Sequence, residues 1–545
     1  MIAEILVLNT HSTQLPLFVS NSFDSKDTYY KTFTNITSLC IYLSSFSSYI
    51  LSKKDKDSKV EPISNTSETE FYYPVGIIIN SENQVVGKEP LDSLSLRSQK
   101  RLLESRFHHL NTTVSIIPFS EKKLDSSFIE ELELIYSCTK DRLTRIETWV
   151  DLNPKIADLS DNHTSRINTM GRILNDYSTE FQLEEESDFM ARLTASVDYR
   201  SLLNTPKSYE YYLSIINSWE FPAYNLNGDE LLYCGSIILL NAIKKYSPEE
   251  IVGVENRLLS LLFYVRDNYR SGNPFHNFRH AIDVLQATNY FIDRIKEDVE
   301  FQVQLDGRTV VELLFASLGH DLGHPGITNM FLSTNKTPIA ISFNDKSVLE
   351  KFHFKQFTKI ISPFSHKMIA NKKFYKGFEE RIEQSILATD MGQHDYFVGE
   401  IDKFSNYDDE SKKTIMLCSL LIKCADISNV CRPLKVSVKW GLSLGEEFKE
   451  VALLENFIKF TDPETKSKIN ISPICPPEVI RDIDAKKAIE LVPGLAGSQM
   501  FFITRFAYSF FSKIGENIPA LIFLKNQLVE NIDYWESLLD ASKKA

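Results

Sequence analysis

Seven of the 11 histidines in this 545-residue chain fall at positions 276, 280, 320, 324, 353, 366 and 394, a window where even scatter would put about two. The segments concerned are Phe275 to His280 (FHNFRH), His320 to Gly326 (HDLGHPG), Thr389 to His394 (TDMGQH) and Lys423 to Asn429 (KCADISN). Imidazoles gathered in this way suit metal ligation and proton transfer. In the pairs His276/His280 and His320/His324 the partners are four apart, so on a helix each pair would share a face and converge on one site. Asp321 directly follows His320, and Asp426 interrupts an apolar helical pattern, LCSLLIKCADIS, where an ionised carboxylate is costly without a cation or hydrogen-bond partners. Any one of these histidines taken alone reads better as a hydrogen-bonded core residue; the metal reading rests on the set.

Two His nitrogens and two carboxylates form a mixed ligand set that zinc accepts, and a bridging carboxylate would recruit a second, harder ion such as Mg²⁺ or Mn²⁺. Two cations roughly 3.5–4 Å apart can share and deprotonate a water and bind phosphoryl oxygens, which is the chemistry of phosphoester hydrolysis. A further histidine nearby would protonate the leaving group. Later in the chain, Gln499 offers a donor and an acceptor that match a purine edge, and Phe502 lies one helical turn on. That segment is rich in aromatics, and Phe502 is equally readable as core.

The elements that position these residues read as mainly helical. Hydrophobic residues make up 43% and charged residues 24%, with only 19 Gly and 20 Pro, which excludes wholesale disorder and disfavours an all-β fold. Three β-branched runs, Ile2 to Leu8, Val75 to Ile79 and Val114 to Ile117, read as buried strands. Apolar stretches at Ile36 to Phe46 and Arg97 to His109 add helices, giving a small α/β domain over residues 1–150. Ser52 to Glu70 reads as a polar loop, and Ser126 to Val150 as a long helix leading out of the domain. Residues 151–200, polar and then acidic, read as a linker and connecting helix, and residues 201–545 as one large helical domain.

The net charge of −13 disfavours a nucleic acid or an anionic membrane as partner. No CxxC pair occurs among the seven cysteines, so a reducing, cytoplasmic setting is expected. Neither the N-terminal run nor the stretch from Ser498 reads as a signal or a membrane span.

The ordered set H-N-x-x-H, H-D-x-x-H-x-G, T-D-x-x-x-H, C-A-D-x-S-N and S-Q-x-x-F resembles the class I cyclic nucleotide phosphodiesterases, most of all the fungal high-affinity cAMP phosphodiesterases. It spans residues ~205 to ~515 and begins with SWEFPAYNL at Ser218. The resemblance implies an HD-type, all-helical catalytic domain that hydrolyses 3′,5′-cyclic AMP to 5′-AMP by a two-metal-activated hydroxide, lowering cAMP signalling. It further implies His280, His320, Asp321 and Asp426 as ligands of a zinc-like first metal, with Asp321 bridging to Mg²⁺ or Mn²⁺. His276 would be the general acid, His324 would face the phosphate, and Glu350 and Thr389 would hold metal-bound waters. Gln499, Phe502 and Leu444 would clamp the purine, and Asn429 goes with adenine preference, unless it merely ends the helix of Asp426. Oligomeric state is left open.

Two positions depart from the family pattern. Leu349-Glu350-Lys351-Phe352-His353 stands where the family commonly has L-E-N-H-H, which puts a histidine contact behind the site in doubt. Phe501 replaces a glycine in S-Q-x-G-F, and its ring is expected to need room against a neighbouring helix. Two other readings stand beside the first: another HD-type metal phosphohydrolase such as a nucleotidase, and a non-catalytic cyclic nucleotide sensor.

Overall fold

The computed structural model describes residues 2–9, 28–52, 72–82, 94–107, 112–119, most of 124–136, 190–246, 254–270, 273–298, most of 301–368, 378–459 and 477–544. The expected polar loop at 53–70, the later part of the helix expected to run to Val150, and the linker at 151–188 lie outside these residues.

The N-terminal region is a parallel sheet of β1 (Ile2–Leu8), β2 (Thr28–Phe33), β3 (Tyr72–Asn80) and β4 (Thr113–Ile117), in the order β2-β1-β3-β4. Ile5 to Leu8 and Ile77 to Ile79 are buried to 1% exposure or less, as continuous apolar runs are when helices cover both faces of a parallel sheet. The helices are α1 (Ile36–Ser52), preceding β3, and α2 (Leu96–Arg106), preceding β4. The sequence reading missed β2, whose run TYYKTF alternates poorly and is half-exposed at the sheet edge; such a strand carries neither the apolar run nor the strict period that marks a strand.

The remainder is helical. Its main helices are α3 (Gly228–Tyr246), α4 (Val254–Asn268), α5 (Phe278–Glu297), α6 (Gly307–Gly319), α7 (Val348–Met368), α8 (Phe378–Leu387), α9 (Glu410–Ile427), α10 (Leu434–Lys459), α11 (Leu495–Phe502), α12 (Tyr508–Asn517) and α13 (Ile522–Lys544). At the centre, α5 packs on α3, α6 and α9, while α8 bridges α6, α7 and α9. Glu410–Cys431 is apolar and long enough to span a membrane, but 83% of its apolar window is buried in this core. One continuous apolar core runs from Leu6 in the sheet to Trp535 in α13. The sheet therefore docks on the helices rather than hanging from them.

Candidate metal centre

The helix ends build the site. Asn277 caps α5, accepting from the backbone N–H of Arg279 (2.9 Å) and His280 (3.3 Å). The helix thus begins at Phe278, so His280 lies in its first turn and His276 in the bend before it. The two rings meet edge to face, 5.9 Å apart. His320 ends α6 and His324 follows a turn in which Gly323 has φ +75°. Neither pair lies on one helix face as the spacing suggested: the convergence comes from chain bends, whose geometry the four-residue interval does not encode.

Asp426 arrives from the last turn of α9 and completes the set. The His280 Nε2 lies 3.1 Å from Asp426 Oδ1 and 3.6 Å from Asp321 Oδ2. The His320 Nε2 lies 3.2 Å from Asp321 Oδ2 and 3.4 Å from Asp426 Oδ1. One ligand atom from each of the four residues falls within 4.8 Å of all the others. The donor set fits a cation. His320 Nδ1 sits 2.8 Å from the Ser317 carbonyl, which assigns the proton to Nδ1 and leaves Nε2 an electron-pair donor. That Nε2 is buried without a hydrogen-bond partner, and the facing carboxylates are unfavourable to bury unless a cation compensates them. Burial alone would push both aspartates up; when protons rather than a cation fill the set, the carboxylates raise His320 and the charged, donating imidazoles overcome burial, holding Asp426 below the usual carboxylate range and Asp321 well below it.

Asp321 faces two ways. Its Oδ2 belongs to the four-residue set, while its Oδ1 lies 3.7 Å from His353 Nε2. His353 Nδ1 sits 2.8 Å from the Leu322 carbonyl, and burial lowers the ring's pKa to about 4. The neutral ring thus turns a second unpartnered Nε2 toward the carboxylate. Asp321, His324 and His353 form a second cluster of possible ligands. The doubt over a histidine contact is resolved by division of labour: His353 lines the site, and Phe352 packs with Leu349 and Phe343 in a separate apolar cluster. His353 was not among the expected site residues, although the histidine count pointed to its neighbourhood.

Glu447 on α10 was missed altogether. One of its oxygens bonds His276 Nδ1 closely, and the other accepts from the backbone N–H groups of Phe275 and His276, each at 3.0 Å. Nothing in the sequence separates it from Glu446 and Glu450, which are also buried. Burial opposes a charge on His276, yet Glu447 and then Asp321 outweigh it and raise the pKa to about 9. The His276 ring stacks on His324 at 4.0 Å. His324 Nδ1 accepts from the Gly326 N–H (3.0 Å), and burial, with the positive neighbour His276, holds this ring neutral. Asn273 ties the two segments, donating to the carbonyls of His276 (2.9 Å) and His324 (2.8 Å).

Glu350 is buried, receives both its hydrogen bonds from Asn329 Nδ2 (3.0 and 3.1 Å), and is pushed up to about 8 by burial and then by Asp390. The Thr389 hydroxyl donates to the Ile386 carbonyl (2.8 Å), and the carbonyls on either side, of Ala388 and Asp390, accept from the buried Lys423 Nζ at 3.0 and 3.2 Å. Lys423 thereby ties the Thr389 segment to the helix of Asp426.

The expected base residues lie on three elements. Asn429 is buried in the turn Ser428–Cys431 after α9, Leu444 is half-buried on α10, and Gln499 and Phe502 are on α11. Gln499 is buried, and the half-buried Phe502 packs against the edge of the apolar core and on Phe506 (5.5 Å) with part of its ring accessible. The chain then makes a π-helical turn, Ile503–Ala507. Phe501 is 67% exposed, so its ring points to solvent and needs no room against a neighbouring helix, contrary to expectation.

A model of the 3′5′-cyclic nucleotide phosphodiesterase family matches residues 275–528. The chain is 30% identical to 3′,5′-cyclic-nucleotide phosphodiesterase 2 of Saccharomyces cerevisiae over 519 residues, covering 83% of this chain and 94% of the yeast protein. It is 28% identical to the mouse high affinity cAMP-specific and IBMX-insensitive 3′,5′-cyclic phosphodiesterase 8A, over 62% of this chain and 41% of the mouse protein. Among solved structures it is similar to yeast caPDE2 in complex with IBMX, with 27% identity, a TM-score of 0.74, and coverage of 99% of this chain and 100% of that one.

Proposed function

We propose that this chain, which belongs to the 3′,5′-cyclic nucleotide phosphodiesterase family and is an enzyme of that activity, hydrolyses cAMP to 5′-AMP. The observation that carries the reading is the meeting of the four-ligand set with His276, whose Nδ1 is bonded by Glu447. His280, His320, Asp321 and Asp426 would hold a zinc-like ion, and the outer oxygen of Asp321 would help to hold a harder one such as Mg²⁺ or Mn²⁺. Bound there, two divalent ions supply neutralisation of the phosphate charge and activation of a water for in-line attack.

The chain's own residues do the rest. Glu447 fixes the His276 ring through Nδ1 and leaves Nε2–H free to protonate the departing 3′ oxygen. Neutral His324, stacked on His276, presents an imidazole edge toward the phosphate without competing for the proton. Gln499 meets the purine edge, with Phe502 and Leu444 on its two faces. Asn429, three residues after Asp426, accepts from the adenine amino group. Guanine would leave that polar group unpaired at ~1–3 kcal/mol, or roughly 5- to 150-fold in kcat/KM. The mouse relative, named as cAMP-specific, points the same way. The nucleotidase and sensor readings lose ground because no ligand is missing and a general acid stands beside the set. The cysteines Cys234, Cys418, Cys424 and Cys431 are buried thiols rather than disulfides, which supports a reducing, cytoplasmic setting.

Hydrolysis of cAMP, cGMP and bis(p-nitrophenyl) phosphate, measured side by side, tests the reading. We expect cAMP to lead. Equal kcat/KM for the two cyclic nucleotides would remove the cAMP assignment, and unchanged selectivity in Asn429→Ala would remove Asn429 as its cause.

A further inference from the structure

We propose that Gly441 is a positioning residue of the purine site, because the absence of a side chain there is what allows the Gln499 amide to occupy its place. The proposal rests on the reading of Gln499 as the purine contact. Gly441 lies on α10, and a Cβ built on it would meet Gln499 Nε2 at 2.6 Å and Cδ at 2.9 Å. Contacts that short do not persist. The atoms that must yield are the flexible end of a glutamine rather than helix backbone, so the amide moves and the helix stays.

The position of that amide matters because the protein does not otherwise fix it. Gln499 is 6% exposed, and its Oε1 is buried with no hydrogen-bond partner. A buried amide with an unpaired acceptor awaits a donor, which a purine edge supplies. The bare backbone of Gly441 sets how far the amide is withdrawn toward α10 and how much of the slot is left for the base. A methyl group at residue 441 would drive the amide into the space the purine occupies.

Gly441→Ala favours the helix intrinsically, so loss of folding does not explain a defect. The variant should keep its Tm and raise KM for cAMP by about tenfold with little change in kcat, because the base lies away from the reacting phosphate. Bis(p-nitrophenyl) phosphate, which has no purine, should lose at least several-fold less kcat/KM than cAMP. An unchanged KM for cAMP, or an equal loss on both substrates, would overturn the proposal. Gln499→Ala, run in parallel, separates the premise from the inference: if it leaves the KM for cAMP unchanged, the base-site reading has failed and takes the proposal with it. If Gln499→Ala raises KM while Gly441→Ala does not, the glycine proposal alone has failed. In a Gln499→Asn background, whose amide is one methylene shorter, Gly441→Ala should add little; fully additive losses would also overturn it.

Discussion

Asp321 and Asp426 are asked to do different things by the same four-residue set. Asp426 turns one oxygen to two imidazoles, while Asp321 divides its oxygens between that set and His353. Removing either should lower turnover by orders of magnitude while the fold survives, and Asp321→Ala should lose binding of both ions. More than about a tenth of wild-type turnover in either variant, with Tm retained, would defeat the two-metal reading. His276→Ala should cost ~10²–10⁴-fold in kcat on cAMP and much less on a substrate with a good leaving group; an equal deficit on both would assign the residue another role. The His276 pKa is raised to about 9, so the proton is present below that value and kcat falls as pH rises through it. Cations bound at the aspartates lower the proton affinity, which places the limb at or below that pH. Glu447→Gln removes the main charge holding the proton, so its alkaline limb should move down by ~1 pH unit, and an unmoved limb would show that Glu447 only shapes the backbone. The histidines could be found in the sequence because their type is rare there, and the aspartates because they stand in ordered motifs, Asp426 within an apolar run. Glu447 could not, since its function lies in a hydrogen bond 171 residues away.

At the level of elements, the site is made where helices stop. The sequence interval of four suggested two helix faces, but Asn277 starts α5 one residue after His276, and α6 ends at His320. Both stops are signalled in the sequence by an Asn before a helical run and by glycines after one, signals that an interval of four does not contain. Gly323 is the strictest of these positions. Its φ is +75°, and a Cβ there would lie 2.0 Å from Gln356 Oε1. Gly323→Ala should therefore destabilise by ~1–3 kcal/mol and, by shifting His324, reduce kcat by more than that loss of stability explains at a temperature where the chain is folded. Pairing it with Gln356→Ala should recover the steric part and leave the backbone part. If the single variant kept wild-type kcat, the turn would not be what positions His324.

Across the whole molecule, charge and packing set the conditions under which the site works. A chain of net charge −13 whose centre holds two ionised aspartates repels an anionic nucleotide until cations reverse the local field. No proposed ligand comes from the N-terminal sheet, which from sequence reads as a regulatory or packing module behind an acidic linker. The structure packs it on the helices. Arg106 at the end of α2 is 1% exposed; its guanidinium lies over the Tyr264 ring (4.4 Å) and pairs with Asp267 at 3.8 Å, both on α4. Helix α1 of the same region packs on α3 as well. These contacts could not be read in advance, because a buried Arg looks in sequence like any other helix-terminal cation. A chain starting near residue 190 exposes that face of α4 while keeping every site residue. It should hold its kcat within ~threefold at 20 °C yet melt ~5–10 °C lower. An unchanged Tm would make the sheet a passenger, whereas a folded, metal-loaded truncation without activity would mean that the sheet completes the site. Arg106→Met keeps the volume and removes the charge; if it lowers Tm as far as the truncation does, the docking depends on the ion pair rather than on the apolar seam.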